Sequence, residues 1–303
     1  MSCIIRSMFV ARRSAVLFAI IVFGTVGAQA QSPSEAPPGP APTPLASPSE
    51  RKPTLEHEFF KNILQDQRAI WLSPFHLKKD DARWLVPLGL STAALISTDQ
   101  RTAAEMGEFH DQLRLSHNVS YLGSAYGVGS VAGAFYLVGR AGHNARARET
   151  GLLGAEAFID SSIVDSVLKV ATQRRRPTDP RGPGDFFQHG SSFPSGHSAA
   201  AWSLATVVAN EYHDHKEIQV ASYALASAVS LSRFTGRNHF LSDVLVGSAM
   251  GYGIGRYVYH AHHDSSLDGD AVNEIRKSKR WPLIAPQYDR RARDYGVALA
   301  WSF

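Results

Sequence analysis

From about His57 to His260 the chain repeats one pattern, apolar residues at helical spacing, in segment after segment. The first is EFFKNILQDQRAIW, with Phe59, Phe60, Ile63, Leu64 and Ile70 largely around one face. Further helices are expected at Arg83 to Ser97, Thr102 to Leu115, Val119 to Gly139, Gly151 to Thr172, His197 to Tyr212, Ile218 to Ser232 and Leu241 to His260. Turn signals such as TDPRGPGD and TGRN separate several of them. With neither an internal repeat nor a Gly-rich phosphate loop of the Walker or dinucleotide type, the pattern predicts an all-α bundle over residues 57–264.

The ends of the chain read differently. MSCIIRSMFVARRSAVLFAIIVFGTVGAQA has a basic start, an apolar run from Ala15 to about Gly27 and the small-x-small site Ala28-Gln29-Ala30, so residues 1–30 are expected to be a secretory signal. A retained membrane anchor is the alternative. Removal of Arg6, Arg12 and Arg13 with that segment lowers the formal charge from +4 to +1, which argues against a nucleic-acid partner. The single cysteine, Cys3, leaves with it, and with it go disulfide and thiolate chemistry. Residues 31–56, rich in Pro, Ser and Ala, bury too little to offset their ordering entropy and read as a linker. The expected location is the periplasm or cell envelope.

A membrane span needs about 20 mainly apolar residues. Only NVSYLGSAYGVGSVAGAFYLVG meets that; Glu156, Asp160 and Asp165 interrupt one of the others. The composition favours a soluble or membrane-apposed domain over an integral one, although four crossings from Arg83 onward would also return the chain after Thr172 to the outer side. In the tail, residues 265–303, Tyr295, Val297, Leu299, Trp301 and Phe303 alternate with small or polar residues, which predicts one or two strands, most simply a hairpin with WPLIAPQY. A terminal Phe on such a strand is also how outer-membrane barrel chains end, but two strands cannot close a barrel.

Three stretches carry chemistry. KVATQRRRP places Lys169 and Arg176 near the end of a helix. FPSGHSAAAWSLATVVAN places Ser195, Gly196 and His197 at the start of another, where open N–H groups favour an anion. SRFTGRNHFLSD supplies Arg233, His239 and Asp243, the last two at i and i+4, so that on a helix the carboxylate lies beside the imidazole. Three cations, two histidines, a hydroxyl, a helix start and one carboxylate suit a phosphate or a similar tetrahedral oxyanion: arginines clamp its oxygens, Lys169 adds a point charge, and Ser195 and the Gly196 N–H add neutral donors. A carboxylate that fixes one ring nitrogen of His239 leaves the other as base or nucleophile, and His197 can protonate a leaving oxygen.

In order and spacing these stretches, residues 169 to 243, resemble the type-2 phosphatidic acid phosphatase family, which shares its site with bacterial class A acid phosphatases and vanadium-dependent haloperoxidases. The resemblance implies that His239 attacks phosphorus to give a phosphohistidine, Asp243 orients it, His197 is the general acid, and Lys169, Arg176, Ser195, Gly196 and Arg233 bind the phosphate, with no metal or other cofactor. It also implies a phosphatase acting on a phosphate monoester or pyrophosphate. A lipid phosphate (phosphatidic acid, phosphatidylglycerol phosphate or an isoprenyl pyrophosphate) is favoured over a soluble phosphomonoester. A vanadate-dependent haloperoxidase and a non-catalytic binder of anionic lipid are the competing classes.

Other residues have plainer readings. Arg174 and Arg175 either guide an anionic substrate or are solvated. His213, His215, His260, His262 and His263 lie at polar helix ends and are not read as metal ligands. Trp202 and Phe193 are read as core packing.

Overall fold

The computed structural model describes residues 55–107 and 109–267, together with the backbone of 283–289 and 294–300. The expected signal segment 1–30 lies outside the described residues, as does the expected linker except for Leu55 and Glu56, which begin the first helix. Among the described residues the fold is eight α-helices: α1 Leu55–Leu72, α2 Ala82–Glu105, α3 His110–Tyr121, α4 Ala125–Ala141, α5 Ala145–Thr172, α6 Gly196–Glu211, α7 Lys216–Thr235 and α8 Leu241–His262. Two single 3₁₀ turns, at 73–75 and 79–81, link α1 to α2. Two strands, β1 Leu283–Asp289 and β2 Asp294–Ala300, pair antiparallel, with Leu283 opposite Ala300 and Asp289 opposite Asp294.

Three helix boundaries differ from the periodicity, and at two of them a side chain supplies the reason. The expected helix Val119 to Gly139 is broken at 122–124, where Ser124 Oγ accepts the Gly127 N–H at 3.1 Å and starts α4 afresh. α5 starts at Ala145 instead of Gly151 because Asn144 Oδ1 caps the Ala147 N–H at 2.9 Å. The expected segment Thr102 to Leu115 is divided between α2 and α3, with Gly107 in the break.

α6 is the centre, packed against α5, α7 and α8. Its crossing with α8 is set by residue size. A Cβ on Gly247, Gly251 or Gly255 would stand 2.4, 2.2 and 2.4 Å from the carbonyl oxygens of Ser195, Ala199 and Ser203. Both series step by four, so one ridge of α8 lies directly on the α6 backbone. Leu153, Ala157, Val207, Ile254 and Val258 fill the α5–α6–α8 core, and Val128, Ala132, Ala200, Leu204 and Val208 the α4–α6 core.

Outside this core, α2, α3 and α4 turn Trp84, Leu90, Leu115, Tyr121, Tyr126 and Leu137 to the exterior. Among the described residues no single helix is long and apolar enough to cross a membrane; α3 and α4, bent by 41° at their junction, meet the length and composition only as a pair.

Candidate active site

The close α6–α8 crossing brings the start of α6 onto the start of α8, and the Ser195 N–H donates to the Asp243 carbonyl at 3.0 Å. The ends of α5 and α7 reach the same place. A Cβ on Gly196 would stand 2.7 Å from Asp165 Oδ2 and 3.0 Å from Lys169 Nζ, so glycine lets the α6 start lie against those two side-chain ends without displacing them. The Arg233 carbonyl accepts the His239 N–H at 3.2 Å, tying the end of α7 to the turn that precedes α8. Three stretches lying between Lys169 and Asp243 thus form one site.

Ser195 occupies the N-cap position of α6, but its hydroxyl makes no capping bond. It accepts from Ser198 Oγ at 2.9 Å, which leaves the Ser195 O–H to donate elsewhere. The first-turn N–H groups of α6 have no acceptor within the helix. Lys169 is held by Asp165, with Nζ 2.7 Å from Oδ2. Burial pushes the Asp165 carboxyl up, against the pull of Lys169. Arg233 is buried; one terminal nitrogen donates to Ser120 Oγ on α3 while Nε has no hydrogen-bond partner. Burial, then Arg176, lowers its guanidinium to about 10.

His197 sits in a cationic field. Burial, with the charges of Arg233, His239, Lys169 and Arg176, drives it down to about 4. Those four neighbours are the three predicted cations and the second histidine of the motifs, so the structure gathers them around His197. The field is unbalanced until an anion enters, and an entering phosphate would draw the His197 proton affinity upward.

The arrangement at His239 differs from the expected one. His239 is not on a helix but in the turn before α8, whose first turn carries Asp243. Its Nδ1 lies 2.7 Å from the Ser192 carbonyl and 3.6 Å from Asp243 Oδ2. A carbonyl oxygen only accepts, so Nδ1 carries the proton and Nε2 keeps its lone pair. Asp243 is held one step further back: Oδ2 accepts from Ser192 Oγ at 2.5 Å and from the Phe240 N–H at 2.9 Å. Burial would raise the Asp243 carboxyl, but His239, Arg174 and Ser192 together hold it below its ordinary range. Burial lowers His239, partly opposed by Asp243.

Arg174 is neither a substrate guide nor a solvated cation. It is 1 % exposed, stacked over Phe186 and Phe240 at 4.7 and 4.3 Å. Its guanidinium donates to Asp243 Oδ1 at 2.6 Å, Ser242 Oγ at 2.7 Å, Asp99 Oδ2 at 2.9 Å and the Gly184 carbonyl at 3.2 Å. Arg174, Asp99, Ser192 and Ser242 therefore form the support behind His239, and sequence reasoning missed all four. Arg175, by contrast, serves the 175–190 loop, donating to the Arg181 carbonyl at 2.6 Å and to Gln188 Oε1 at 3.1 Å. Trp202 packs against Tyr223 and Tyr252 and donates to Ser230 Oγ at 3.0 Å, and Phe193 packs on Phe186, in line with core roles.

At the far end of α8, read from the sequence as a polar helix end, His262 and His263 meet buried carboxylates. His263 Nδ1 lies 3.0 Å from Glu149 Oε1, and His262 Nε2 lies 2.9 Å from Asp66 Oδ1 and 3.2 Å from Glu156 Oε1. Burial, then Asp66, pushes Glu156 up to about 9, and burial, aided by Asp66 against Gln67, pushes Asp160 up to about 7.

Residues 151–267 match the family model described as PAP2 superfamily. A lipid A 1-phosphatase of Porphyromonas gingivalis is 40 % identical over 70 residues, which are 23 % of this chain and 16 % of that protein, so the match spans a small part of the relative's length. Among solved structures, the transmembrane PAP2-type phosphatidylglycerolphosphate phosphatase from Bacillus subtilis has 21 % identity, covers 67 % of this chain and 94 % of its own, and superposes with a TM-score of 0.42. Aquifex aeolicus LpxE, also 21 % identical, covers 53 % and 92 % with a TM-score of 0.38. The segment that matches this family model, residues 151–267, contains all three motifs and the turn that carries His239.

Proposed function

We propose that the chain is a phosphatase that hydrolyses a phosphate monoester or pyrophosphate, a lipid phosphate being the favoured substrate, through a phosphohistidine on His239. The observation that carries this reading is the His239 ring, buried, with Nδ1 committed to the Ser192 carbonyl and Nε2 left as a nucleophile inside a ring of cations. Phosphoryl transfer asks a protein mainly for positioning and charge stabilisation, and Lys169, Arg176, Arg233, the Ser195 hydroxyl and the Gly196 N–H supply both.

In the first step Nε2 of His239 forms a bond to phosphorus as the ester P–O bond breaks, and His197, protonated once the phosphate anion is bound, gives its proton to the departing oxygen. Asp243, through Ser192 and at 3.6 Å from Nδ1, favours the positive charge that develops on the ring. In the second step His197 takes a proton from water, the water oxygen bonds to phosphorus, the P–N bond breaks and phosphate leaves. Each group returns to its starting protonation state.

A lipid substrate is supported by the neighbourhood of the site. Arg233 bonds to Ser120 on α3, and that helix and the start of α4 present Leu115, Tyr121, Leu122 and Tyr126 to the exterior. Acyl or isoprenyl chains would lie against these side chains while the headgroup entered the cationic site, which fits an envelope location at a membrane surface. The relative's name, a lipid A 1-phosphatase, points to the same substrate class. The proposed boundaries are a catalytic domain over 57–264, preceded by a signal segment and linker and followed by the tail 265–303.

The test is phosphate release by the purified chain, in EDTA, from a lipid phosphate in detergent and from a soluble aryl phosphate. Lipid turnover that is lost in His239→Ala, with phosphate binding retained, is the expected result. Unchanged turnover in His239→Ala would refute the assigned nucleophile. Faster turnover of the aryl ester would replace the lipid assignment with a scavenging phosphatase. Activation by vanadate with peroxide and halide, instead of inhibition by vanadate, would assign a haloperoxidase.

A further inference from the structure

The carboxylate cluster at the C-terminal end of α8 lies about 28 Å along the helix from Asp243, at 1.5 Å per residue, and takes no part in the chemistry above. It joins three helices: Asp66 on α1, Glu156 and Asp160 on α5, and His262 in the last turn of α8. All three carboxylates are buried, at no more than 1 % exposure. One ligand atom from each of Asp66, Glu156 and His262 falls within 4.8 Å of the others.

Among the described residues no lysine or arginine is paired with this cluster, and its one cationic partner is His262. Even with His262 charged, three ionised carboxylates would leave two negative charges in the interior, an arrangement that burial disfavours strongly. Two oxygens have no hydrogen-bond partner, Glu156 Oε1 and Asp160 Oδ2. His262 Nε2 is 3.2 Å from Glu156 Oε1, but its hydrogen bonds go to both oxygens of Asp66, at 2.9 and 3.0 Å. The second oxygen of Asp160 is already engaged by Gln67 Nε2 at 2.8 Å, which orients that carboxylate. A cavity of about 420 Å³ borders His262 and is also lined by Arg148, Glu149 and Asp264.

We propose that Asp66, Glu156 and His262, with Asp160 beside them, hold one divalent first-row transition cation that clamps α1 to α5 and α8. One imidazole nitrogen with carboxylate oxygens is a donor set for zinc, manganese or iron, whereas magnesium and calcium prefer oxygen alone. On uptake, His262 moves its remaining proton to Nδ1, any proton on Glu156 is released, and the cation takes the place of the Nε2–H between the carboxylates. The role is structural, and the phosphatase chemistry proceeds without it.

The experiment uses the full, untagged chain, stripped with EDTA, desalted and exposed separately to Zn²⁺ and to Mn²⁺, with bound metal counted by elemental analysis and unfolding followed by circular dichroism. The expected result is about one equivalent of one of these ions and a midpoint raised by about 5–10 °C at a hundredfold excess over the dissociation constant. Glu156→Gln and His262→Gln should each cut bound metal at least tenfold and abolish the thermal shift, while His263→Gln, in the adjacent cluster, should change neither. If either variant fails to fold, Asp66→Asn takes its place. Failure of the unsubstituted chain to retain either ion would overturn the proposal without recourse to a variant. So would metal retained in Glu156→Gln and His262→Gln but lost in His263→Gln, which would place the ion on Glu149 and Glu211.

Discussion

Arg174→Met isolates the support behind the nucleophile. Methionine keeps most of the apolar contact with Phe186 and Phe240 but removes the donors to Asp243, Asp99, Ser242 and the Gly184 carbonyl. Two buried carboxylates then lose their shared cation. Breaking such a pair from one side costs about 3–5 kcal/mol, because the remaining charge keeps its desolvation penalty. At about 2–4 °C per kcal/mol for a domain of this size, the unfolding midpoint should fall by about 6–20 °C. Arg174→Lys should recover only part of the loss, since an ammonium cannot reach Asp99 and Asp243 with the same forked geometry. The decisive measurement is the double variant Arg174→Met/Asp99→Asn. Asp99 still accepts from Ser242, so the amide can keep a partner there, and one stranded charge is gone. The double variant should be more stable than Arg174→Met alone, with a coupling energy above about 1 kcal/mol. A single-variant shift under about 2 °C, or strict additivity of the two substitutions, would refute the reading of Arg174 as the counter-ion of both carboxylates.

Asp243→Asn should reduce phosphate release by about 10³–10⁴-fold, by analogy with the loss of a histidine-orienting carboxylate elsewhere, with little change in phosphate affinity by calorimetry. His197 should titrate near pH 4 in the empty site by NMR, and inorganic phosphate should move its midpoint upward, as the cationic field is neutralised; an unmoved midpoint would place the anion elsewhere. Because the folded chain holds His197 far below its ordinary value, the unfolded chain binds more protons between about pH 4 and 6.5. The stability due to neutral His197 is therefore complete above about pH 6.5 and falls as the pH drops toward 4, and His197→Gln should flatten that part of a urea-midpoint profile. Gly196→Ala meets only the flexible ends of Asp165 and Lys169, so it should weaken phosphate binding while leaving the midpoint nearly unchanged; Gly251→Ala meets the Ala199 carbonyl at 2.2 Å and should destabilise by about 1–3 kcal/mol or more.

Residues 169 to 243 show how far local chemistry can be read without coordinates. Lys169, Arg176, Ser195, Gly196, His197, Arg233, His239 and Asp243 stand out because their types and spacing are set within short stretches, and the helical period with its turn signals places each stretch at a helix end. The all-α bundle follows from the same periodicity. The breaks after Glu105 and at 122–124 are less legible, since apolar residues continue across them and a single Ser124 cap decides one of them.

What only the tertiary structure decided is the partner of each charge. Arg174 looks like its neighbour Arg175, yet one is fully buried on Asp99, 75 residues away, and the other lines a surface loop. The orienting acceptor of His239 is a backbone carbonyl, that of Ser192, and a carbonyl carries no signature in an amino-acid sequence. His262 meets Asp66, 196 residues earlier in the chain. Hydrophobic periodicity is a property of one helix and is written along it. The ionisation and role of a buried charge depend on which other helix is packed against it, and the close α6–α8 crossing and its neighbours settle that in space.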